Sequence, residues 1–130
     1  MATDLELLAA WVLLAANGIS LVYELWRATA RAGVSRHDSM KAFLVQGLFI
    51  YGVAAIVVLM LFSGTTGSAW AGLALALISI VVSVFYYNPV VMSERSPGII
   101  DWVEDLVFTG LLFVAAALLI LELTGRTLVN

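Results

Sequence analysis

Four long apolar stretches, Leu5 to Trp26, Ala42 to Phe62, Ala69 to Tyr87 and Ile99 to Leu123, limit this chain of 130 residues more than any other feature. A bilayer core about 30 Å thick is crossed by ~20 apolar residues in helical form, and each stretch meets that length. Strands are disfavoured: the runs are continuous instead of alternating every second residue, and an open sheet leaves its edge amides unsatisfied in lipid. With 63% hydrophobic and 12% charged residues and a mean hydropathy of +1.08, the chain carries more apolar surface than a globule of this size can bury. The expected fold is all-α: a four-transmembrane-helix bundle in a single integral membrane domain over residues 1–130, with helices at about 5–32, 36–62, 69–87 and 97–123.

Punctuation supports those bounds. Gly33 suits the end of the first helix, and Ser35 to Asp38 ("SRHD") has the S-x-x-D spacing of a capping box that would open the second. "SGTTGS" reads as a tight turn after the second helix. Asn88-Pro89 is expected to stop the third, and Ser96-Pro97-Gly98 to start the fourth. The acidic N-terminal stretch before the first run, and the run's length, favour a retained span over a cleaved signal peptide. No internal repeat relates the two hairpins.

Charge sets the expected orientation. Arg27, Arg31, Arg36 and Lys41 follow the first span and Arg95 the third, whereas the opposite side has Arg126 alone. The positive-inside rule then places both termini on the non-cytoplasmic side. Trp26 and Trp102 would mark the cytoplasmic interface, and Trp11 and Trp70 the outer one. The net charge of −3, with no basic domain, argues against a nucleic-acid partner.

The polar residues form two groups. On the first helix Asn17, Ser20, Glu24, Arg27 and Arg31 fall within an arc of about 80° at 100° per residue. At the start of the fourth, Asp101, Glu104 and Asp105 lie where the helix dipole favours carboxylates. An interfacial charge cluster of Glu24, Arg27, Arg31, Asp101, Glu104 and Asp105 is therefore expected to fix the first helix against the fourth, with snorkelling into headgroup water as the alternative for its outer members. On the third helix Ser68, Gly72, Ala76, Ser79 and Ser83 make a stripe of small residues. Together with Asn17 and Ser20 these are the expected helix-packing positions, toward this chain or a neighbour.

Function classes narrow by exclusion. The chain has no cysteine and one histidine, His37, so no thiol chemistry, paired-imidazole metal site or haem ligation can be assembled from it. No catalytic, cofactor-binding or metal-ligating set is identified, and an enzyme is not expected. Small multidrug transporters carry a deep glutamate in their first helix, where this chain has Asn17, and the motifs of dual-topology fluoride channels are absent. The expectation is a non-catalytic structural or accessory subunit. Its partners would be the lipid bilayer and further copies or other membrane subunits, in a cell membrane or a membrane inside a virion. An oligomeric channel, holin-like pore or simple small-solute transporter is the alternative, in which surplus carboxylates would attract cations.

Overall fold

The computed structural model describes residues 1–125; Arg126, the lone basic residue expected at the far end, lies outside them. Four antiparallel helices run up and down: α1 (Asp4–Thr29), α2 (Met40–Ser63), α3 (Ser68–Val82) and α4 (Ile99–Leu123). With the π-helical segment Ser83–Met92 that continues α3, all four are long and apolar enough to cross a membrane. The helix α1 packs most extensively on α4, and α2 meets α3 only sparsely.

Local chemistry sets the ends. Thr3 caps α1 through its hydroxyl, which accepts from the Glu6 amide at 3.1 Å, while Glu6 Oε1 accepts from the Thr3 amide at 3.1 Å. The second Glu6 oxygen accepts from the Ser68 hydroxyl, so one buried carboxylate clasps α1 to the start of α3. Gly64 ends α2 at φ +67°, and a Cβ there would stand 2.3 Å from the Ala2 nitrogen, so only glycine fits the turn.

Two expectations about the helix ends are corrected. The α2 helix does not open at Ser35–Asp38: Ser39 caps it, accepting from the Ala42 amide at 3.1 Å, because Asp38 is drawn inward by two arginines. Nor does Asn88-Pro89 stop the third helix. The chain widens into π geometry over Ser83–Met92, which removes the clash that a proline ring makes with the i−4 carbonyl of an α-helix. The extension buries Val91 and Met92 and delivers Arg95 to the bundle end.

Burial divides the bundle lengthwise. The apolar core, led by Leu5, Ala9, Leu13 and Ala16 of α1, Val57, Val58 and Leu61 of α2, Ala76 of α3 and Leu112, Ala115 and Leu119 of α4, occupies the half nearest the Gly64–Gly67 turn. Alanine and glycine at these seams let backbones approach; Gly72 is closed in by Leu61 and Leu119. The other half is held by charges.

Candidate functional site: an ion-pair network and a lateral cavity

Tyr23 and Arg27 are four residues apart on α1 and therefore share a face. The Arg27 side chain is completely buried, and its guanidinium forks onto Asp38, with Nε donating to Oδ1 at 2.9 Å and Nη2 to Oδ2 at 2.5 Å. It also donates from Nη1 to Asp101 Oδ1 at 3.3 Å and from Nη2 to the Arg95 carbonyl at 3.2 Å. Asp101 completes its shell with the Tyr23 hydroxyl and the Gly98 amide, the latter at 2.7 Å.

Arg95, 2% exposed, makes the second half of the network. Its Nη1 and Nη2 donate to the two Glu24 oxygens, each at 2.7 Å, and Nη1 also donates to the Tyr87 hydroxyl at 3.0 Å. The Arg95 Nε lies 3.1 Å from Asp38 Oδ1 without hydrogen-bond alignment. The guanidinium sits 5.9 Å from the Tyr23 ring centre and 5.7 Å from that of Tyr87, within cation–π range. Two guanidiniums and three carboxylates thus alternate across α1, both loops of this end and α4. Buried charges persist only when paired in this way, since desolvation otherwise costs several kcal/mol per ion.

Electrostatics keep the loop members ionised. Burial pushes the Asp38 carboxyl up, but hydrogen bonds from Arg27 and Ser35, with the charge of Arg95, outweigh it and hold the group below its usual range. Burial likewise pulls the Arg95 guanidinium down, and the Glu24 carboxylate more than restores it. Outside this core an exposed strap joins the two loops: Arg36 donates to Glu94 at 2.9 and 3.1 Å, and His37 Nε2 lies 2.5 Å from Glu94 Oε2. These contacts lower Glu94, Arg36 first.

The structure therefore brings together Glu24, Arg27 and Asp101 of the expected cluster and separates the other three. The Arg31 guanidinium lies 6.0 Å over the Trp26 ring and pairs with no carboxylate among the described residues. Glu104 and Asp105 line a cavity whose inner end also holds Arg95, and neither pairs with an arginine among the described residues. Of the packing residues, Asn17 donates to the Leu13 carbonyl of its own helix at 2.9 Å instead of reaching a neighbour. Ser20 bonds Tyr51 of α2 at 2.7 Å. Ser68 reaches Glu6, Gly72 and Ala76 are buried, Ser83 bonds Thr109 of α4 at 3.0 Å, and Ser79 lines the cavity. Sequence reasoning missed Asp38, Arg95, Tyr23, Tyr87 and Glu6. Two local signals were present, the Tyr23–Arg27 spacing and the T-x-x-E spacing of Thr3 and Glu6; the remaining partners come from distant segments.

The cavity follows from the sparse contact of α2 with α3. Between them the helices leave an opening of about 590 Å³ that runs from Ala42 to Val57 along α2 and from Ala71 to Val82 along α3. Phe43, Phe49, Ile50, Ile78 and Val82 form much of its walls, and Phe49, Ile78 and Val82 are themselves exposed at the outer face. Behind them lie Ser20 and Tyr51, then Ser83, Glu104 and Asp105, and at the inner end Glu24, Tyr87 and Arg95. That volume is within the ~300–1,000 Å³ of small-molecule sites. No group of three or more metal-ligating side chains converges among the described residues. Comparisons with protein-family models, curated proteins and solved structures find no match to this chain.

Proposed function

We propose that this is an integral membrane protein that holds a small amphipathic molecule in the cavity between α2 and α3, without converting it chemically. The observation that carries the reading is the cavity itself, a pocket of ligand size with hydroxyls and carboxylates behind an apolar mouth. Polar groups at such a depth are expensive toward lipid and are kept where they serve a site or a partner. Exposed Leu44, Leu48, Phe49, Ile56, Leu59, Ile78, Phe85, Leu106 and Phe113 suit a surface solvated by acyl chains. In this reading the network end, with Arg27, Arg31, Arg36, Lys41 and Arg95, lies on the cytoplasmic side and the termini on the other.

The accessory-subunit reading had drawn on the polar stripe of α1 and the small-residue stripe of α3, and both are now largely occupied within one chain. Glu24 and Arg27 find Arg95, Asp38 and Asp101, while Gly72 and Ser83 meet α2 and α4. One observation still favours it: the exposed apolar mouth between Phe49 and Ile78 would also accept a neighbouring helix. Native mass spectrometry of the full chain, released from mild detergent, separates the readings. The cavity reading expects a single chain carrying a non-covalent small-molecule adduct that is lost on filling the space with Ala74→Trp. A mass of several chains that Ala74→Trp splits into monomers would replace it with the subunit reading.

A further inference from the structure

Two carboxylates on the cavity lining, Glu104 and Asp105, are not paired with cations among the described residues, and two of its hydroxyls are already engaged. Ser20 is satisfied by Tyr51, and Ser83 by Thr109. Arg95, the one arginine on the lining, is committed to Glu24 through two contacts of 2.7 Å. Glu104 has no hydrogen-bond donor and no ion-pair partner among the described residues, and Asp105 has only neutral partners, the Ser83 hydroxyl at 3.5 Å and the Asn88 side chain. Three carboxylates therefore face one guanidinium on this surface, and the excess lies at Glu104 and Asp105, toward the middle of the cavity.

Building on the cavity reading above, we propose that the occupant is a lipophilic organic cation, a protonated or quaternary centre carried on an apolar body, with its charge between Glu104 and Asp105. Charge complementarity selects the sign, because a cation lets both carboxylates stay ionised in a partly desolvated space, where with an anion or a neutral group they would have to take up protons. The aromatic rings of Tyr51 and Phe108 on the same lining carry quadrupoles that attract organic cations. A bare metal ion is disfavoured: Mg²⁺ and Ca²⁺ ask for six or more oxygen ligands, and no third ligating side chain joins the pair. The apolar mouth, with Phe49, Ile78 and Val82, suits entry of the apolar body from the bilayer side.

The test compares two probes of nearly equal size and shape and opposite charge, tetraphenylphosphonium and tetraphenylborate. Each is equilibrated with the full chain in nanodiscs, with protein-free nanodiscs correcting for partition into lipid. Saturable binding of the phosphonium at one per chain, with none of the borate, is expected. The double variant Glu104→Gln/Asp105→Asn should lower phosphonium affinity at least tenfold, whereas Glu122→Gln, outside the cavity, should leave it unchanged. Equal binding of both probes, or phosphonium affinity that survives the double variant, overturns the proposal. Saturable borate binding that Ala74→Trp abolishes would keep the cavity reading and remove the cationic class; binding of neither probe removes both. Should the double variant not fold, the two probes on the unaltered chain still decide the sign of the charge.

Discussion

Removing Asp38 should cost more stability than removing any other loop side chain. Asp38 is fully buried, accepts both prongs of Arg27 and lies 3.1 Å from Arg95, so Asp38→Asn leaves two buried guanidiniums with only Glu24 and Asp101 to neutralise them. Breaking one side of a buried pair in this manner costs about 3–5 kcal/mol. At about 4 °C per kcal/mol for a chain of this length, the thermal midpoint in detergent should fall by ~12–20 °C. Replacing both members, Arg27→Met with Asp38→Leu, should cost less than the sum of the single changes, because no unpaired charge remains at that contact. Arg31→Met is the control: that guanidinium lies over Trp26 and makes no ion pair among the described residues, and its loss should cost under ~1 kcal/mol. Circular dichroism during heating reads every variant, the two single changes included. A loss below 1 kcal/mol for Asp38→Asn, or an Arg31→Met penalty as large as that of Arg27→Met, would refute the network as the element that closes this end.

Acid should destabilise the protein through the same residue. Asp38 titrates below its ordinary value of 3.8 in the fold, so the stability it contributes is complete above that value and is lost as pH falls through the lower folded value; Asp38→Asn should flatten this acid limb in denaturation curves. Ser68→Ala removes the hydroxyl that bridges α3 to Glu6 and should cost about 1–3 kcal/mol by thermal unfolding. Gly72→Val places carbon where a Cβ alone would be 2.8 Å from a Leu119 methyl and 3.0 Å from one of Leu61, and overpacking of about 1–3 kcal/mol should follow. Glu94→Gln cuts only the exposed strap and should leave the thermal midpoint unchanged. Because the chain has no cysteine, single cysteines at Lys41 and Ser96 should react with impermeant maleimide from one side of sealed vesicles and a cysteine at Thr66 from the other; labelling of Lys41 and Ser96 from opposite sides would remove the proposed topology.

Arg27→Glu should destabilise, and Asp105→Lys has no route to rescue it, since Asp105 lies on the cavity lining, 3.5 Å from the Ser83 hydroxyl, and does not touch Arg27. The natural compensating position is Asp38, which neither helical periodicity nor hydropathy singles out. Its S-x-x-D spacing from Ser35 gave a local role, helix capping. The Ser35 hydroxyl does donate to the Asp38 carboxylate at 2.8 Å, yet the capping is done by Ser39. Arg95 was legible only as a topological charge.

What the sequence determined by itself is the set of rods. Runs of ~20 apolar residues have no way to satisfy their backbone in an apolar surrounding except as helices, and glycine at Gly64 and serine or threonine at helix starts write their ends in local steric and hydrogen-bond terms. The tertiary structure decided which charges meet. Arg27 joins residues 11 and 74 positions away and Arg95 one 71 positions away, distances over which no periodicity operates. It also decided that α2 and α3 stand apart around a cavity. That separation depends on how side-chain volumes fit across a seam, which hydropathy along one strand of sequence does not encode, and it leaves Glu104 and Asp105 on the cavity lining without an arginine partner among the described residues.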